Sequence, residues 1–99
     1  MKLDINSVYT FKLNSGEELI TKVLGIDGDE IVIADPLSVA PGPQGMGLMP
    51  GLFTAETKAE VRLNTKNIAF YALTDSAVKS KYIEATTGIK IPDKKLIMG

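Results

Sequence analysis

The 99-residue chain contains no cysteine, no histidine and no tryptophan. Without cysteine there are no disulfides, no thiolate nucleophile and no cysteine-ligated zinc. Without histidine the commonest general base and the commonest metal ligand are both missing. No apolar run approaches the roughly 20 residues that span a bilayer, so no membrane partner is expected. The start, MKLDINS, has no continuous apolar stretch of the kind a secretory signal needs, and the chain reads as soluble and cytoplasmic. Net charge is only −1, so the overall basic field that dominates nucleic-acid affinity is also absent.

Charge is present but unevenly spread. Residues 1–35 hold three Lys against seven Asp and Glu, residues 36–55 hold none of either sign, and residues 56–99 hold eight Lys and Arg against five acids. Opposite-signed halves could pair head to tail between subunits, or be plain solvated surface. The length suits one domain with one modest core.

Periodicity gives most of the architecture. Tyr9, Phe11 and Leu13 alternate with Val8, Thr10 and Lys12, which predicts a strand over about 7–13. Asn14-Ser15-Gly16 is turn chemistry. A second strand over about 17–26 is apolar on both faces: Leu19 and Val23 on one, Ile20, Leu24 and Ile26 on the other. Such a strand curves around a core or is covered on its outer face. Gly25 marks a bend or bulge, and Asp27-Gly28-Asp29 turns into a third strand over Glu30–Ala34. Asp35-Pro36 is expected to end it, because proline lacks the amide a ladder needs.

Residues 36–53 hold four of the five prolines and four of the nine glycines. This predicts a long loop, bounded at about 36–56. Leu37, Val39, Met46, Leu48, Met49, Leu52 and Phe53 make it too apolar for a solvated loop, so it packs on the barrel or on another subunit. A fourth strand over about 57–64 alternates Ala59, Val61 and Leu63 inward with Lys58, Glu60 and Arg62 outward, and charge reversal at Arg62 is therefore expected to matter little. Asn64-Thr65-Lys66-Asn67 is a short turn. A fifth strand, Ile68–Leu73, is apolar on both faces, as for a strand wedged between barrel interior and helix. Thr74 or Asp75 caps a helix over about 75–87, with Val78, Tyr82 and Ala85 on one face. Gly88 ends it, and Ile89, Ile91, Leu96 and Ile97 in the tail 88–99 suggest a docked rather than trailing segment.

The expected fold is mainly β: a single domain, a five-stranded, strongly bent antiparallel barrel over about 7–73 with a C-terminal helix. Phe11, Leu13, Gly16, the Leu19–Val23 run and Asp27, followed later by Leu63, the 64–67 turn, Ile68 and Tyr71, resemble the two halves of the Sm-like signature. The resemblance covers about 8–35 and 57–73. The Asp-Pro pair after the third strand, the Met-rich loop and the C-terminal helix look similar to small Sm-like proteins of tailed phages. Departures are plain. Glu30 and Ile31 stand where the family usually has a base-contacting Asn, Asn64 and Thr65 stand where it has Arg-Gly, and the helix follows the barrel instead of preceding it.

The resemblance implies a cyclic homo-oligomer in which strands four and five of neighbours pair, placing Val61, Leu63, Ile68 and Phe70 at the interface. It also implies RNA or single-stranded nucleic acid as a partner, through Asn64, Lys66 and Asn67, since the Asp27–Glu30 turn would repel phosphate. A scaffold role needs no special chemistry and is the first expectation; nucleic-acid binding is the alternative. Catalysis is not expected. Glu17-Glu18 and Asp27, Asp29 and Glu30 form no complete ligand pattern, and Gly45-x-Gly47 lacks a phosphate-loop context, so neither cofactor nor metal is called for.

Overall fold

Strand alternation and Gly-centred turns build a bent antiparallel sheet. The computed structural model describes residues 1–56 and 59–87. Strands β1 (Val8–Leu13), β2 (Glu18–Asp27) and β3 (Glu30–Gly42) form a meander, followed by β4 (Gly45–Pro50), β5 (Val61–Asn64), a 3-10 turn at Thr65–Asn67, β6 (Ile68–Leu73) and helix α1 (Ser76–Thr87). The sheet order is β4-β3-β2-β1-β6, with β5 pairing the first half of β3, and the sheet does not close on itself. The fold is mainly β with one helix, as expected, but six strands replace five.

The extra strand arises where a loop was expected. β3 does not stop at Pro36. Thr21 of β2 faces two residues, Asp35 and Pro36, because Ile20 pairs with Leu37 and Lys22 with Ala34. A bulge of this kind leaves the extra residues out of the ladder, so the missing proline amide breaks nothing. Asp35 takes a left-handed φ of 49° there, a conformation Asp tolerates better than most residues. Past the bulge β3 runs on to Gly42 and turns through Pro43-Gln44 into β4, where Gly45 adopts φ 112°. Gly25 was expected at a bend, and a second register shift does fall between Val23 and Gly25.

Two apolar clusters lie on opposite faces. Inside the bend, Tyr9, Phe11, Leu19, Val23, Ile31 and Ile33 are buried and are joined by Leu3, Leu13, Val61, Leu63 and Ile68. On the outer face, Val8 and Ile20 pack with Tyr82 of α1, together with Leu37, Val39 and Leu48. This second cluster covers Ile20 on the outer face of β2, whereas Leu24 and Ile26 are exposed, and it places the Pro- and Gly-rich segment on the sheet through three of its side chains. Met46, Met49, Leu52 and Phe53 remain exposed.

Asp75 is the helix cap: its carboxylate accepts from the amides of Ala77 at 3.0 Å and Val78 at 3.3 Å. Val78 and Tyr82 face the sheet as predicted, whereas Ala85 is exposed. The Tyr82 hydroxyl reaches the bulge. It donates to the carbonyl of Ala34 at 2.8 Å and accepts from the Lys22 amide at 3.1 Å. Burial pushes this phenol up to about 12. Gly88 and the tail 88–99 lie outside the described residues.

Candidate interface at the strand edges

The turn between β5 and β6 is held from both sides. The Asn64 side chain accepts from the Lys66 amide at 2.9 Å and so caps the 3-10 turn. The amide and the hydroxyl of Thr65 both donate to the Asp29 carbonyl, at 2.8 and 2.9 Å. From the other side, Asn14 donates its side-chain amide to the Lys66 carbonyl at 2.8 Å and its backbone amide to that of Asn67 at 2.7 Å. Asn64, Lys66 and Asn67, expected to contact nucleic acid, are therefore together on one exposed turn. Only part of their polarity is free: Asn64 is committed to its cap.

The same bonds bring this turn against the acidic β2–β3 turn. The Lys66 ammonium lies 3.9 Å from the Asp29 carboxylate, both more than 70% exposed. Arg62, one turn away on β5, donates to Asp27 at 2.9 Å, Glu30 at 3.1 Å and Glu60 at 2.7 Å. Hydrogen bonds donated to these three carboxylates, Asp27 first, hold the guanidinium ionised far above its ordinary range. Arg62 does point outward, yet its surroundings are not neutral, and the expectation that its reversal does little needs correcting. With Asp27, Asp29, Glu30 and Glu60 against Arg62 and Lys66, this end of the sheet is net acidic. Sequence alternation puts Arg62 on the outer face, but only the register of β5 on β3, with Arg62 opposite Val32, puts it between the carboxylates. Among the described residues no group of three acids is placed to hold a metal ion.

The residues expected at a subunit interface divide. Val61, Leu63 and Ile68 are half-buried against the inner cluster. Phe70 is 63% exposed. β6 is thus no wedged strand. It pairs with β1 on one side only, and Phe70, Tyr71 and Leu73 are exposed along it: Phe70 is on the outer face, where α1 packs over other strands, and Tyr71 and Leu73 are at the open edge of the inner face. Among the described residues the other edge of β6 has no partner strand, and neither has the outer edge of β5. Tyr71 still contributes inward, its ring 6.1 Å from Phe11 and 6.2 Å from Tyr9.

Among the described residues no helix is long and apolar enough to cross a membrane. No family model matches the chain, and no curated protein matches it.

Proposed function

We propose that this protein is an Sm-like module that assembles with copies of itself through β5 and β6 and works as a non-catalytic, protein-interacting scaffold. The single observation that carries this reading is that β5 and β6 each keep a free edge; the remaining edge strand, β4, is interrupted by Gly47 and closed by Pro50. An unpaired edge strand bearing Phe70, Tyr71 and Leu73 is an invitation to pairing, and β6 carries none of the lysines or prolines that would blunt it. Supporting it are the strand order and the 3-10 turn between β5 and β6, which leave the two edges unlike. Contact between unlike edges is head to tail and closes into a ring if the rotation allows. Light scattering at micromolar concentration tests it: the native mass is a multiple of the 10.6 kDa chain, and a monomer would overturn the proposal.

A second reading is nucleic-acid binding at the 64–67 turn, favoured by the exposed Lys66 ammonium. The acidic neighbours oppose it, since each phosphate contact must be made against their field. Titration with oligo(U) and oligo(A) at two salt concentrations tests it. Weak, salt-sensitive binding lost in Lys66→Glu supports this turn as the site, and tight binding unchanged in that variant rejects it.

A further inference from the structure

The free edges of β5 and β6 carry different neighbours on the outer face of the sheet. On β6 there is no charge from Ile68 to Leu73, and Phe70 stands opposite Lys12 of β1 on the face turned away from the inner cluster. Lys12 has no ion pair among the described residues. Beside β5, an open groove of about 820 Å³ lies between Ala85 and Thr86 of α1 on one side and Glu56, Ala59 and Glu60 on the other. Leu24, Val32, Leu37, Leu52 and Ala59 line it, with Asp35, Glu56 and Glu60 among its walls. Val32 and Arg62 are cross-strand partners on this outer face.

A strand added to an edge continues the sheet, so outer-face side chains of the newcomer meet outer-face side chains of the host. We infer that the groove beside β5 is the seat of Phe70 from a second copy of this chain, with Lys12 of that copy reaching the groove carboxylates. The inference rests on the self-assembly reading and adds to it the place where the exposed aromatic goes. Charge complementarity favours this occupant. The incoming edge brings an apolar ring and one unpaired cation; the groove offers apolar walls and carboxylates, of which Glu60 alone is shared with Arg62. A two-fold pairing of β6 with β6 would leave the groove open and Lys12 away from its carboxylates.

The absence of cysteine allows a clean test. Ala59 lines the groove and Ala72 lies on the outer face of β6, so Ala59→Cys and Ala72→Cys are placed on the two sides of the inferred contact. With a short bis-maleimide linker, the double variant is expected to give covalent species beyond the dimer, and a mixture of the two single variants a covalent dimer. Neither single variant alone should cross-link. Phe70→Ser, at an exposed position, should lower the native mass while leaving the circular dichroism spectrum unchanged. Cross-linking of Ala72→Cys alone would overturn the seat in favour of a two-fold edge, with self-assembly intact. An oligomer that neither cross-links nor responds to Phe70→Ser would overturn it too, and point to another surface. A monomeric wild type would remove the assembly reading and this inference with it.

Discussion

The Tyr82 hydroxyl occupies the gap that the Asp35-Pro36 bulge opens between β2 and β3, and there it is donor and acceptor at once. Thr21, fully buried in β2, donates to the same Ala34 carbonyl at 2.7 Å. Tyr82→Phe removes one acceptor and one donor from a site with little access to water. It is expected to cost about 1–3 kcal/mol in urea unfolding. Because burial raises this phenol from 10.0 to about 12, the native state favours the neutral form. The contribution is fully present below pH 10 and is lost as pH rises through 12. The stability gap between wild type and Tyr82→Phe should therefore narrow over that window. At Arg62 the expectation is set by its three carboxylates. Arg62→Glu should lower the unfolding midpoint at low salt, and the loss should shrink as ionic strength rises, because all the partners are exposed. An equal loss at both salt concentrations would mean that its side chain acts by packing instead.

At the level of elements, alternation and turn chemistry were sufficient for β1, β2, β6 and α1, whose ends lie within a residue of those read from the sequence. β3 is legible only over Glu30–Ala34; its continuation to Gly42 and all of β4 are hidden by proline. A proline is read as a strand terminator because it lacks an amide, but Pro36 sits in a bulge where no amide is required. The bulge is visible only once β2 and β3 are laid in register. The same applies to β6: apolar residues on both faces suggest burial, but cover for Phe70 depends on where α1 lands, and cover for Leu73 on how far the inner cluster extends. The candidate turn was legible as a group, since Asn64, Lys66 and Asn67 are adjacent in sequence. The carboxylates around Arg62 were not, since Asp27 and Glu30 reach it across more than thirty positions. The β3–β4 hairpin makes its own prediction. Gly45 at φ 112° has no clash to relieve, so Gly45→Val tests backbone strain alone. It should destabilise the hairpin by about 1–3 kcal/mol, seen as faster amide exchange from Leu37 to Pro50 with less change in β1.

At the level of the whole molecule, the most telling pairing is between β1 and β6, which sets Tyr9 beside Leu73. During synthesis β2, β3 and β4 each find the strand made just before them. The second edge of β1 has to wait for the last strand to be made, and non-local pairings of this sort come late and leave edges exposed meanwhile. A chain that stops before Ile68 never fills that place. Its β1 is left with a bare edge, which the β6 of a finished chain can fill by exchanging away from its own β1. Interrupted translation products would then be trapped by full-length molecules, and a stop codon at Ile68 co-expressed with the intact gene should yield mixed complexes in which the fragment poisons assembly.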